Sequence, residues 1–86
     1  MMEKEIGKII HFWGHISVAG IDITKGELKV GDTIHIKGNT TDFTQKVDSI
    51  HIEENAIEKA KIGDSIGVKV KEHVRQHDTV YLVTEE

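Results

Sequence analysis

Cysteine and proline are both absent from this chain of 86 residues. Without cysteine, the chain has no disulfide framework, no thiolate zinc site and no cysteine nucleophile. Small secreted domains usually depend on disulfides, so the composition favours a cytoplasmic location. Every apolar run is much shorter than the roughly 20 residues that span a bilayer, and residues 1–8 lack the apolar segment of a secretory signal. We therefore expect no membrane partner.

Positive charge is also scarce. The chain has 11 Lys and Arg against 15 Asp and Glu, which gives a net charge of −4 with His neutral. The basic residues do not form a block, whereas proteins that bind nucleic acids through phosphate neutralisation carry a basic patch or stripe. The composition therefore disfavours general nucleic-acid binding.

The chain is rich in β-branched apolar residues. It has 13 Ile and 8 Val but only 2 Leu and 3 Ala. β-branched side chains lose rotamer freedom in helices and pack well on pleated sheets. A chain of this length has room for one core. We therefore predict a single all-β domain over residues 1–86.

Apolar alternation predicts six strands, at 6–13, 16–23, Thr33–Lys37, 43–52, 65–71 and Thr79–Thr84. The alternation slips by one residue near Ala19-Gly20 and again near Asp48-Ser49, which predicts two β-bulges. A weak capping-box pattern predicts one short helical turn near 55–61. Short strands with bulges and interior glycines favour a small closed six-stranded Greek-key barrel.

One turn pattern occurs three times, at 29–34, 61–66 and 75–80. It reads as a basic residue, any residue, Gly or His, Asp, Ser or Thr, and an apolar residue. Gly adopts the positive φ that such a turn needs, and the Asp carboxylate accepts hydrogen bonds from nearby backbone N–H groups. We therefore interpret five residues as structural turn residues rather than catalytic groups: Gly31, Asp32, Gly63, Asp64 and Asp78.

Two of these turns lie in longer stretches that resemble a known family. Residues 26–34, GELKVGDTI, are similar to the G-x-I/L-K-x-G-D stretch in the β-barrel second domain of translation elongation factors such as elongation factor Tu. Residues 60–68, AKIGDSIGV, are similar to its A-x-x-G-D-x-V/I-G stretch. Residues 37–50 and 74–81 more closely resemble small free-standing elongation factor-like proteins and the C-terminal domain of collagenase-like peptidases. The resemblance implies a β-barrel of the translation-protein type.

The resemblance also implies a binding role without catalysis. The parent factors hydrolyse GTP in a separate domain, and this chain lacks the G-x-x-x-x-G-K-S/T phosphate loop, so we expect no nucleotide. We predict a non-catalytic module, with no cofactor, that docks to a protein partner or, as the resemblance implies, to RNA or the ribosome. The alternative is an accessory substrate-recognition domain acting with a collagenase-like peptidase.

The candidate binding surface is the aromatic turn at residues 11–15, HFWGH, which holds the only Trp and one of the two Phe. Aromatic side chains at a turn can form a binding hot spot, or they can pack as a plug at the mouth of a barrel. Phe12 shares the phase of Ile10 and is predicted in the core, whereas Trp13 has the opposite phase and is predicted to be partly exposed. The candidate partner-binding residues are Phe12, Trp13, His15, Lys8 and Arg75.

Six histidines stand out in the composition. The spacing of His73 and His77 is typical of a metal site only on a helix, and here the two residues flank a turn. No grouping forms a closed ligand set, so we expect no metal. The simplest interpretation is solvated or half-buried imidazoles, and a pH-sensitive surface is favoured over a metal site because imidazoles titrate near pH 6.5.

Overall fold

The computed structural model describes residues 2–84, and all of its regular structure is β. The all-β prediction is therefore confirmed. The ten strands are β1 (Met2–Trp13), β2 (Val18–Ile23), β3 (Glu27–Lys29), β4 (Thr33–Lys37), β5 (Asp42–Lys46), β6 (Ile50–Ile52), β7 (Asn55–Ile57), β8 (Lys59–Lys61), β9 (Ser65–Lys69) and β10 (Thr79–Thr84). Within residues 2–84, no helix is long and apolar enough to cross a membrane.

Eight of the strands form one antiparallel sheet in the order β5-β4-β10-β1-β2-β9-β6-β7, and β3 pairs with β8 in a separate ribbon. The predicted closed six-stranded barrel is therefore wrong in strand number and in closure. The long predicted strand at 43–52 is in fact two strands, because Val47 leaves the ladder and its N–H donates to the Asp32 carbonyl oxygen at 2.8 Å. β5 then pairs with β4, and β6 pairs with β9. No bulge forms at Asp48-Ser49.

The predicted helical turn near 55–61 is also wrong, because this segment forms β7 and β8. β7 folds back on β6 as a hairpin, with Ile50 opposite Ile57. β8 pairs with β3, where Ala60 lies opposite Leu28 and both side chains are fully buried. A capping pattern contributes little beside the burial of apolar side chains against a distant strand.

β1 carries two irregularities in its pairing. Its register shifts between Glu5 and Gly7 against β10, and between Ile9 and His11 against β2. The second shift makes Ile10 an extra residue, and its side chain is 38% exposed instead of lying in the core. The bulge predicted from the β2 sequence thus lies in the partner strand.

The phase slip in the β2 sequence has a different cause. Ala19 and Ile21 are fully buried, and Ile23 follows in the same phase. Ile16 and Val18, which produced the slip, lie outside the core, with Ile16 51% exposed. The slip marks an apolar outer face of the sheet.

The core is a single cluster dominated by Ile and Val. Fully burying one such side chain contributes about 1.5–3 kcal/mol to folding. The largest fully buried side chains are Ile6, Ile9, Ile21, Leu28, Ile34, Ile36, Val47, Ile50, Val68, Val74 and Val80.

The three repeated turns share one hydrogen-bond geometry. In each, Asp Oδ2 accepts a hydrogen bond from the backbone N–H of the basic residue three positions earlier, at 2.8, 2.9 and 2.9 Å. The Asp N–H donates in return to the carbonyl oxygen of that basic residue. The residue before each Asp has a positive φ: Gly31 (97°), Gly63 (96°) and His77 (78°). The three carboxylates are thus engaged by their own turns.

The edge strand β5 is tied to the segment after β9 by one side chain. Gln45 Oε1 accepts a hydrogen bond from the Lys71 N–H at 2.9 Å, and Gln45 Nε2 donates to the Lys69 carbonyl oxygen at 2.8 Å. The amide therefore pairs with a backbone donor and a backbone acceptor, as a neighbouring strand would. It bridges a gap that strand pairing leaves open.

We predict that Gln45→Ala lowers the free energy of unfolding by about 1–2 kcal/mol, because both hydrogen bonds that bridge to Lys69 and Lys71 are lost. Urea denaturation measures the change. Gln76→Ala is the matched control, since Gln76 is exposed in a turn and should shift stability by less than about 0.5 kcal/mol. Equal stability of the two variants would contradict a bridging role for Gln45.

In β1, Gly7 packs directly against the backbone of β2. A Cβ added at Gly7 would overlap the Asp22 carbonyl oxygen, and backbone cannot move aside as a flexible side chain can. We expect Gly7→Ala to cost about 1–3 kcal/mol of stability. In the control variant Gly14→Ala, the new Cβ lies 3.5 Å from the Phe12 ring, an ordinary contact. Thermal denaturation should separate the two, and similar melting temperatures would refute the close approach.

Candidate functional site

An apolar groove lies on the outer face of the sheet, above β2 and β9. These strands place Gly20 directly opposite Gly67. The residues on either side of each glycine in its own strand are buried, so both glycines face outwards. Two neighbouring positions therefore carry no side chain, and of the two only Gly67 is partly exposed, since Gly20 is buried.

β1 forms one wall of the groove through Ile10 and Trp13. The indole of Trp13 covers Gly20, since a Cβ added there would lie 3.2 Å from Trp13 Cζ3 and 3.4 Å from Ile10 Cγ1. Trp13 is nevertheless 40% exposed. Val18 lies opposite Trp13 in the ladder, and Ile16 extends the apolar lining into the turn after β1. The bulge at Ile10 thus adds an apolar side chain to the outer face beside the indole.

β6 lies on the other side, with His51 opposite Gly67. Because two strands separate β1 from β6, the walls stand about 14 Å apart between backbones. The cavity between them has a volume of about 510 Å³. Its charged lining residues are Lys69 and Glu53, one of each sign, so the groove carries no net charge when His51 is neutral.

The aromatic turn at 11–15 is divided between two faces of the molecule. Trp13 faces the groove, and the His11 ring meets it edge-on with centroids 4.5 Å apart. Phe12 packs against the core, and its ring contacts His73 edge-on with centroids 4.6 Å apart. This turn therefore combines a packing role for Phe12 with an exposed role for Trp13.

The structure does not bring the five candidate binding residues into one site. Trp13 lines the groove, whereas His15 is exposed in the turn after β1 and Lys8 is exposed on β1 outside the groove lining. The Arg75 side chain is engaged elsewhere, since its Nε donates to Thr40 Oγ1 at 2.8 Å. The basic residues and the aromatic turn therefore do not form a common surface.

Sequence reasoning missed most of the groove. The missed lining residues include Ile10, Ile16, Val18, Gly20, Gly67 and Lys69. Two signals were present in the sequence: the out-of-phase apolar residues before Ala19, and glycines in the middle of two predicted strands. An interior glycine marks a place where another group approaches the backbone closely.

Among residues 2–84, no group of three or more His, Asp and Glu side chains is arranged to hold a metal ion. His35 in β4 lies between two carboxylates. Its Nδ1 lies 2.7 Å from Glu3 Oε1, and its Nε2 lies 2.5 Å from Asp42 Oδ1. A neutral imidazole has a single N–H, so the ring donates to both carboxylates only as imidazolium. We refer to Glu3, His35 and Asp42 as the histidine clasp, which joins β1, β4 and β5.

The histidine clasp shifts the titration of its own members. Hydrogen bonds to Glu3 and then to Asp42 raise the pKa of His35 above its ordinary value of 6.5, although burial opposes them. The hydrogen bond from His35 lowers the pKa of Asp42 below its ordinary value of 3.8. The stabilisation from His35 is therefore lost as pH rises through its raised pKa, and that from Asp42 is lost as pH falls through its lowered pKa.

We predict that the clasp contributes fully to stability between pH 3.8 and 6.5 and weakens above that range. The urea midpoint, followed across this range and up to about pH 9, should fall at the alkaline side more steeply for the native chain than for His35→Gln, which cannot carry the charge. His15→Gln is the control, because His15 is exposed in a turn. Parallel pH profiles for the native chain and His35→Gln would show that the clasp does not contribute.

No family model matches the chain. It is 43% identical over 82 residues to an uncharacterised protease of Methanocaldococcus jannaschii, a match that covers 94% of this chain and 20% of that protein. It is also 43% identical over 77 residues to a collagenase of Porphyromonas gingivalis, covering 88% of this chain and 21% of the collagenase. The chain thus spans about a fifth of the length of the curated relatives it matches.

The fold is that of a domain already solved. The chain superposes on the C-terminal domain of a Geobacillus thermoleovorans protein assigned as a U32 peptidase, with a TM-score of 0.87 and 18% identity, covering 94% of this chain and 93% of that one. The selenomethionine variant of the same domain gives 0.83 with 19% identity, covering 90% and 96%.

These findings support the collagenase-like part of the predicted resemblance and do not show the part that concerns elongation factors. The chain is therefore related to a segment of collagenase-like proteases and has the fold of a U32 peptidase C-terminal domain.

Proposed function

We propose that this chain is a non-catalytic recognition module that works with a collagenase-like peptidase and binds polypeptide substrate in the groove above Gly20 and Gly67. The relatives are named as proteases, and the chain corresponds to about a fifth of their length. A segment of that size, with the fold of a C-terminal domain, fits an accessory role beside a separate catalytic part.

The groove is the observation that carries this proposal. In a chain with 30% charged residues, an open apolar trough of about 510 Å³ is a distinctive surface. Concave apolar surfaces with a few polar groups at the rim are where ligands bind. The partly exposed backbone at Gly67 allows the main chain of a substrate to approach closely, and Trp13 offers a large apolar face as an anchor.

The hydrogen-bond partners of the carboxylates and of His35 support a role without catalysis. A catalytic nucleophile needs a base within hydrogen-bond reach and a third group that orients the base. The three turn carboxylates bind their own backbone, and His35 is held between two carboxylates. At the end of the groove, the Ser65 hydroxyl donates to Asp22 Oδ1 at 2.5 Å, an arrangement in which no histidine takes part.

The alternative of docking to RNA or the ribosome rests on the elongation-factor resemblance. The groove lining has no excess positive charge for RNA phosphates, since the charge of Lys69 is balanced by that of Glu53. RNA binding depends on neutralising phosphates, and the net charge of the chain is −4. We therefore favour a polypeptide ligand.

A trans-complementation assay tests the proposal. The Porphyromonas gingivalis collagenase lacking its matching segment would be assayed on gelatin with and without this chain added. We expect the chain alone to release no peptides. Added in trans, it should lower KM and leave kcat unchanged, because it contributes binding that is equal in the ground state and the transition state.

The decisive variant for this assay is Trp13→Ala, which should abolish the KM effect. Ile62→Ser is the control, since Ile62 is 63% exposed and lies outside the groove lining. Melting temperatures of both variants would establish that they are folded. Peptide release by the isolated chain, or a KM effect that survives Trp13→Ala, would contradict the proposal.

A further inference from the structure

We propose that the groove continues into a second, basic cleft, and that the polypeptide bound there carries acidic residues next to its apolar segment. This inference rests on the proposed function, that the groove binds polypeptide, and it names the class of polypeptide. It is supported by three features: the lysines gathered at the gap between β5 and β9, their lack of counter-charge, and the continuity of this gap with the groove.

The gap between β5 and the end of β9 is a cleft of about 400 Å³. Three lysines line it: Lys46 at the end of β5, Lys69 at the end of β9, and Lys71 two residues later. All three are exposed. Among the described residues, Asp48 is the one carboxylate of the lining. With three lysines against one aspartate, this lysine cleft has a net charge of +2, whereas the whole chain has a net charge of −4.

The fold holds these lysines together without neutralising them. Gln45, next to Lys46, binds the backbone of Lys69 and Lys71 at 2.8 and 2.9 Å, which keeps the segment after β9 beside β5. Among residues 2–84, no carboxylate oxygen lies within 4.0 Å of any of the three ammonium groups. Gathered like charges repel each other, and an anionic ligand converts that repulsion into attraction. The lysine cleft is therefore complementary to an acidic ligand.

The lysine cleft is continuous with the groove, because Ser49 and Lys69 line both. Lys69 lies opposite Val18 at one end of the β2–β9 ladder. Glu53 follows β6, which runs antiparallel to β9, so Glu53 lies towards the opposite end of the groove. The groove and the lysine cleft thus form one channel that is apolar along its wall and positively charged at a single end.

The spacing within this channel sets the pattern of the ligand. Trp13, Val18 and Lys69 lie in one row across the sheet, since Val18 is opposite both of the others. Two strand spacings separate the Trp13 and Lys69 backbones by about 10 Å. An extended polypeptide covers about 3.3–3.6 Å per residue. Acidic residues should therefore begin about three positions away from the apolar side chain that contacts Trp13.

Carboxylates of a polypeptide suit this channel better than RNA phosphates do. RNA carries a charge at every nucleotide, and its binding depends on neutralising many of them. A strand of RNA that reached the lysine cleft would also lie over the apolar wall and close to Glu53, where no cation is available. A polypeptide can instead place charged residues at one end and apolar residues at the other.

Intrinsic fluorescence tests this inference, because Trp13 is the only tryptophan of the chain. The chain would be titrated at about pH 8, at which free imidazole is neutral. The probe is a capped octapeptide of alternating alanine and leucine followed by four glutamates, and its partner has glutamine in place of glutamate. We expect the glutamate peptide to bind at least about tenfold more tightly in about 20 mM salt. The difference should shrink in about 0.5 M salt, because exposed charges are screened.

Two double variants locate the contact. Lys46→Gln with Lys71→Gln removes two charges that line the lysine cleft but not the groove, and it spares the Gln45 bridge, which uses the Lys71 backbone. It should abolish the preference for glutamate. Lys25→Gln with Lys29→Gln removes the same charge from exposed sites outside the groove and the lysine cleft, and should retain the preference. Circular dichroism would establish that both are folded.

The outcomes separate this inference from the proposed function. Equal affinity for the two peptides, or a glutamate preference that survives the loss of Lys46 and Lys71, would overturn the acidic-ligand inference while the KM effect on gelatin could still stand. Absence of that KM effect together with absence of peptide binding would overturn both. Salt-sensitive binding of single-stranded RNA, with neither peptide bound, would also overturn both and favour the docking alternative.

Discussion

The burial pattern of β1 is the constraint on which the outer face of this protein depends. Ile6, Ile9 and Phe12 all turn towards the core, and they are spaced by three residues. A regular strand has a period of two, so without irregularities it would bury Lys8 instead of Ile9. The two register shifts resolve this conflict. The second one also expels Ile10 to the side where Trp13 stands, and one wall of the groove follows from it.

Side-chain hydrogen bonds connect parts of this sheet that strand pairing does not connect. The edge strand β5 has β4 on one side only, and on the other the Gln45 amide binds two backbone groups next to the end of β9. The histidine clasp then joins β5 to β4 and to the first residues of β1. An exposed edge invites pairing with other chains, and here part of it is occupied from within. The backbone pairing of the sheet is therefore not closed, but side-chain hydrogen bonds link its edge strand β5 to the end of β9.

The sequence predicts strands well where one segment supplies its own pattern. The alternation at Thr33–Lys37 and Thr79–Thr84 agrees with the structure in both bounds. The strand Lys59–Lys61 is not predictable in this way, because Ala60 is buried against Leu28, 32 residues earlier in the chain. The groove was hidden for a related reason: the sequence predicts Ile16 and Val18 in one strand with Ile21 and Ile23, joined by a bulge. Only the burial of Ala19 and Ile21 in the structure shows that Ile16 and Val18 lie on the outer side.

The glycine floor links the stability of the sheet to its proposed ligand. A glycine within a strand costs about 0.5–1 kcal/mol relative to alanine, and Gly20 faces Gly67 in the centre of the sheet. An aromatic side chain packed over such a glycine recovers part of that loss, and Trp13 covers Gly20 in this way. Beside Gly67 lie a methyl group of Val18 and the His51 carbonyl oxygen, and no aromatic ring. An apolar side chain of the proposed polypeptide ligand, packed against Trp13, would extend the apolar cover from Gly20 towards Gly67, so ligand binding and sheet stability draw on the same indole.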